Sequence, residues 1–100
     1  ENGRGVEQNY EEAARLYGLA ARQGHARAQR SLGTMYGNGW GIDRDFTEAY
    51  VWFSLSAAQG HDEAAEFRDL AAAQLSPEAL TEARRRSGAY WELYVAPFRN

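Results

Sequence analysis

Residues 38–49 read Asn38-Gly39-Trp40-Gly41-Ile42-Asp43-Arg44-Asp45-Phe46-Thr47-Glu48-Ala49. The chain carries a related version of it 36 positions earlier, Asn2-Gly3-Arg4-Gly5-Val6-Glu7-Gln8-Asn9-Tyr10-Glu11-Glu12-Ala13, with the Asn-Gly-x-Gly and Glu-Ala positions identical. Comparing residues 2–28 with 38–64 gives 11 identities in 27 positions, without a gap. Unrelated stretches of average composition would share roughly two. The identities include Glu12/Glu48, Gln23/Gln59, Gly24/Gly60 and His25/His61, while Val6/Ile42, Tyr10/Phe46 and Tyr17/Phe53 exchange like for like. Self-similarity at one fixed period marks a stacked repeat array.

Each repeated position has a local task. Asn9 and Asp45 are N-cap residues with Glu12 and Glu48 three positions later, a capping-box arrangement that predicts helix starts near Tyr10 and Phe46. Ala13, Leu16, Tyr17, Ala20 and Ala21 then follow helical spacing, and Ala49, Trp52, Phe53, Ser56 and Ala57 repeat it. Gly24 and Gly60 stand where these helices (about 10–23 and 46–59) should end. A second helix type follows, about 26–36, whose apolar face is Ala28, Leu32, Met35 and Tyr36; Gly33 on that face would let a neighbour approach closely. Gly37, Gly39 and Gly41 break the chain before the next unit.

A further helix of the second type is expected over 62–73. Ser76-Pro77-Glu78 then starts a longer helix, with Ser as N-cap, Pro in the first turn and an acid at the positive end of the dipole. Leu80, Ala83, Tyr90, Trp91 and Tyr94 form its stripe to about Val95, and Pro97 ends it. The predicted fold is all-α: an α/α superhelical solenoid of antiparallel helix pairs with a C-terminal capping helix. It forms a single domain over 1–100, divided into a partial repeat (1–25, loop and helix), a full repeat (26–61), a last helix (62–75) and the cap (76–96). The array enters at a loop, so an upstream helix is expected to be missing and the face carrying Leu16 and Tyr17 to be uncovered. The chain then reads as the C-terminal part of a longer protein.

Composition narrows the function. A formal charge of −3 offers no electrostatic case for nucleic acid or an anionic membrane surface. With no cysteine there is no disulfide framework, thiolate zinc site or cysteine nucleophile. No stretch approaches the ~20 apolar residues of a membrane span.

Ala28-x-x-x-Leu32-Gly33-x-Met35-Tyr36-x-Asn38-Gly39-x-Gly41-Ile42, with Asp45, Ala49, Trp52, Phe53, Ala57, Gly60, His61 and Ala64 at their spacings, resembles the Sel-one-like repeat (SLR), a relative of the tetratricopeptide repeat. The likeness covers about residues 2–75, and the tail from Ser76 to Trp91 is similar to the closing helix of many bacterial members. The resemblance implies a solenoid without cofactor or catalytic residue that serves as an adaptor for protein complexes, in a bacterial cytoplasm or periplasm alike. Two departures stand out. Leu16 takes the place of the tryptophan at Trp52, and Arg68-Asp69 replace the Leu-Gly pair of the last repeat helix, so its packing against the cap should differ.

Candidate chemistry is sparse. Gly37-x-Gly39-x-Gly41 has no strand before it and no Lys-Ser/Thr after it, which favours a turn of positive φ over a phosphate loop. His25 and His61 each follow a terminating glycine, as turn residues without a third metal ligand. Arg84-Arg85-Arg86 fans around a helix as a solvated face, with an acidic partner as the lesser reading. Trp40 sits between two glycines where no core face requires it, and is the candidate interface anchor. Arg27, Arg30 and Thr34 share one helix face, and their counterparts one period on are Glu63, Glu66 and Leu70. That register sets Arg27 beside Glu63 and Arg30 beside Glu66, as cross-rung ion pairs of small worth or as a mixed-charge groove for a peptide. The partner expected is a protein or peptide. The alternatives are an enzyme accessory or a hydrolase-like repeat protein of cell-wall or β-lactam chemistry, which resemblance to this repeat class leaves open although no nucleophile constellation is visible, and a fragment that dimerises through its uncovered face.

Overall fold

A computed structural model describes residues 3–99; Asn2 of the repeated text lies outside them. Five helices follow in order: α1 (Gly3–Ala21), α2 (Ala26–Asn38), α3 (Phe46–Ala58), α4 (Asp62–Ala72) and α5 (Pro77–Tyr94), with a short 3₁₀ turn at Ala96–Phe98. The described residues contain no strand. Neighbours α1–α2, α2–α3 and α3–α4 pack in succession, and α5 packs on α3.

The Gly-His pairs make the tight turns. His25 N–H bonds to Ala20 O (3.3 Å) and Gly24 N–H to Ala21 O (3.1 Å). His61 N–H bonds to Ser56 O (3.3 Å) and Gly60 N–H to Ala57 O (3.0 Å) in the same pattern. This is the Schellman ending, which needs a left-handed residue at the glycine, and φ is +87° at Gly24 and +102° at Gly60. Each histidine is the N-cap of the next helix, without a side-chain cap bond. At α5, Ser76 accepts from Ala79 N–H at 3.1 Å and Pro77 opens the helix.

Three local expectations change. The segment from Gly3 to Asn9 is the first part of α1 rather than a loop, so Asn9 is an interior helix residue and not a cap. In the second copy the corresponding glycines, at φ +70° and +75°, lie beyond the end of α2, where Gly39 and Trp40 N–H both reach Met35 O. The capping box is also incomplete. Asp45 accepts from Glu48 N–H at 3.0 Å, but the Glu48 carboxylate turns away to α5, and the Glu12 carboxylate pairs with Arg15 at 2.6 Å. Finally, α2 runs through Gly37 to Asn38, past the expected break, where Gly37 faces Ala49 of α3.

The main core joins Ala21 of α1, Ala28 and Leu32 of α2, Trp52 and Leu55 of α3, and Val95. Gly33 lets α2 and α3 close on one another, for a Cβ there would lie 2.8 Å from the Phe53 ring. Gln29 is fully buried yet satisfied: its amide donates to Ala21 O (3.1 Å), and it accepts from Gln59 (2.9 Å). Ser56 donates to Ala26 O at 2.8 Å, so polar bonds as well as apolar contacts fix the rung-to-rung register.

The cap helix runs alongside α3 in the same direction. Glu48 meets Arg86 near one end, and Trp52 meets Tyr90 (5.3 Å between ring centres) and Tyr94 (5.8 Å) farther on. Contact with α4 is slight. Arg68 and Asp69, in place of Leu-Gly, pair with one another at 3.1 Å instead of forming an apolar seat. The end of α5 reaches back to the α1–α2 turn, where Tyr94 O lies 3.1 Å from the place of a Cβ on Gly24.

Candidate protein-interaction groove

Between α2 and α4, over the surface of α3, runs an open groove of about 460 Å³. Its floor is apolar because α3 turns Phe46, Ala49 and Phe53 towards it. One wall is Thr34 and Gly37 of α2; the other is Phe67 and Leu70 of α4. Phe67 leans on Phe53, ring centres 5.5 Å apart, but stays 37% exposed, and Leu70 is 65% exposed. Large apolar side chains left in water around a concave surface mark a contact site rather than a core. Asn38 and Gln74 complete the rim, and no ionisable side chain lines the groove.

The residues expected to form a binding face are only partly united here. Thr34 and Leu70 face one another across the groove. Thr34 ties its hydroxyl to Arg30 O at 3.1 Å. Arg30 pairs with Glu63 at 3.7 Å, not with Glu66. The reason is the slant of helical side chains towards the N-terminus, which sets the Arg30 head about one turn before its own Cα. With Glu63 73% exposed, the pair is worth little. Arg27 and Glu66 are exposed to solvent. Trp40 stands apart from the groove. It stacks on Tyr10 of α1 (5.2 Å, 12° between planes), so the fold does employ it, while 43% of its surface stays open. Of the groove residues, sequence reasoning singled out Thr34 and Leu70 and missed the aromatic floor and wall, Phe46, Phe53 and Phe67, and the rim amides Asn38 and Gln74; for Phe67 the signal was its place three before Leu70 on one face of α4.

Arginines 84–86 do not form one solvated face. Arg85 is bonded to Glu82 at 2.8 Å, and these arginines pull the Glu82 carboxyl down to about 2. Arg86 turns inward and meets Glu48 at 2.8 Å and Glu82 at 3.1 Å. Glu48 also accepts from Trp52 Nε1 (3.2 Å) and Tyr90 OH (3.0 Å), so its carboxylate pins α5 to α3. Partial burial, followed by the adjacent Glu48 charge, raises the Tyr90 hydroxyl from 10.0 to about 12. Folded Tyr90 thus keeps its proton where the unfolded chain has lost it. The contribution is complete below about pH 10 and disappears as pH rises through about 12. Tyrosinate absorbance should show Tyr90 ionising near the top of that range. Tyr90→Phe should remove that step, and a loss of amplitude near pH 10 instead would contradict the burial of Tyr90 against Glu48.

Among the described residues no cluster of three or more His, Cys, Asp or Glu could hold a metal ion. No described helix is long and apolar enough to cross a membrane.

The Sel1 repeat family model matches residues 1–25 and 26–61. Comparison with curated proteins gives no match. Among solved structures, a protective antigen present in uropathogenic Escherichia coli strains, displaying an SLR fold, superposes with a TM-score of 0.85 at 30% identity. The alignment covers 89% of this chain and 19% of that one, so the chain spans about a fifth of that protein's length.

Proposed function

Because this chain belongs to the Sel1 repeat family, we propose that it is a non-catalytic adaptor module that holds a partner protein in the α2–α3–α4 groove. The family is generally a protein-interaction scaffold without catalysis. The observation that carries the reading is the groove itself, with Phe67 and Leu70 exposed on its wall. Its partner is a protein rather than nucleic acid, in keeping with the net charge of −3. Arg30 and Glu63, paired with one another, and the exposed Arg27 and Glu66 lie outside the groove lining, and Trp40 offers a second contact beside α1.

The place in a longer array rests on α1. Leu16 and Tyr17 are 51% and 39% exposed, whereas their repeat counterparts Trp52 and Phe53 are 2% and 5% exposed. Phe53 is covered by the Gly33 face of α2. The same face of α1 is the seat of one more helix of the α2 type.

Leu70→Glu tests the groove. Leu70 is largely exposed, so the change should alter stability by no more than about 0.5 kcal/mol. It should weaken a partner recovered with the wild-type chain at least about tenfold, as loss of a central apolar contact does. Equal affinity for wild type and variant in a binding titration would sink the groove assignment.

A further inference from the structure

Asn38 and Gln74 are the same position in successive repeats, 36 residues apart, and both reach the rim of one groove. Gln29 and Gln59 use their amides on the protein itself. Asn38 and Gln74 make no side-chain bond to any described residue, and both are exposed. Resting on the groove as the partner site, we propose that it takes an extended, uncharged apolar segment of the partner, whose peptide groups are held by the Asn38 and Gln74 amides.

Charge argues first. A quarter of the chain's residues are charged, yet those lining the groove include no ionisable side chain. A charged segment would enter with no counter-charge and lose its hydration, an unfavourable exchange. The partner's side chains over Phe46, Phe53 and Phe67 are therefore neutral and apolar. Hydrogen bonding argues next. A side-chain amide carries both a donor and an acceptor, the complement of a peptide group whatever residue it belongs to. A helix interior has its N–H and C=O groups already paired and offers these amides nothing. An extended segment leaves both groups open, and main-chain bonds then supply affinity while apolar pockets supply selectivity. Placing one amide per rung at an equivalent position lets the segment lie across α2 and α4, with its side chains falling between them onto the α3 floor.

The experiment is selection of a random-sequence displayed peptide library on the full chain, followed by titration of synthetic binders. The expected binders are uncharged and apolar and lose affinity with Leu70→Glu. They tolerate proline at positions that would break a helix, and they bind about tenfold more weakly to the Asn38→Ala/Gln74→Ala double variant. Circular dichroism of that variant should match wild type, since both side chains are exposed at the rim. Binders that need Leu70 but ignore the double variant, or that proline abolishes, overturn the extended mode and leave the groove standing. If no binder depends on Leu70, the groove reading fails, and this inference with it.

Discussion

Trp52→Ala should lower the stability of the chain by about 3–5 kcal/mol, the usual cost of emptying a large aromatic site in a core. Trp52 is 2% exposed, and its ring lies against Tyr90 and Tyr94 at 5.3 and 5.8 Å. It is the meeting point of α3 with α5 and with the core residues Ala21 and Leu32. Its indole N–H also donates to Glu48, so truncation removes one partner from the carboxylate that holds the cap helix. A domain of this size has roughly 5–15 kcal/mol to lose, so the variant should be largely unfolded at moderate urea concentrations. Trp40→Ala is the internal control, since that ring is 43% exposed and stacks on Tyr10. Urea midpoints followed by circular dichroism distinguish them, and a loss below about 1.5 kcal/mol at Trp52 would contradict the packing described.

The second large effect runs against helix propensity. In an ordinary helix interior, glycine to alanine gains about 1 kcal/mol. At Gly33 the added Cβ would lie 2.8 Å from two atoms of the Phe53 ring. That ring cannot simply swing aside, because Phe67 rests on it from α4. Gly33→Ala should therefore destabilise by about 1–3 kcal/mol, the range for overfilling a tight core. In a domain of this size the melting temperature falls by about 4–8 °C per kcal/mol. Adding Phe53→Leu should recover part of the loss, because the two changes meet at one contact. A higher melting temperature for the single variant would show that α2 and α3 have room to spare.

Helix count, order and buried faces were legible because burial follows a period that the text repeats. Ala28, Leu32, Ala49, Trp52 and Phe53 stand at helical spacing in the sequence and are buried in the structure. The Gly-His turns were legible for a related reason: a left-handed residue is needed there, and glycine supplies it without Cβ strain. What escaped depends on partners far along the chain. Glu48 sits where a capping box would turn it back on its own helix, but Arg86 and Tyr90, 38 and 42 residues on, compete for it and win. A charge-assisted bond in a half-buried setting outweighs a solvent-exposed cap. Gln29 escaped because a polar side chain on a helix reads as surface until its acceptor, a carbonyl in another helix, is known. Thr34 and Leu70 were legible as one face from the 36-residue register, but the slant of Arg30 towards Glu63 was not, since a repeat aligns backbones rather than side-chain ends.

The contact between the end of α5 and the α1–α2 turn changes how such a chain should fold. A linear repeat protein is stabilised by neighbours alone, so rungs can melt one after another from either end. Here Val95 is fully buried in one cluster with Ala21 and Ala28, and Tyr94 abuts Gly24. The last helix thereby bridges the first rung and the second, and freeing it exposes the core of both. Melting is then concerted, with no half-folded array in which only the far rung is lost. In amide exchange, α2, α3 and the final turns of α5 would open together as one unit.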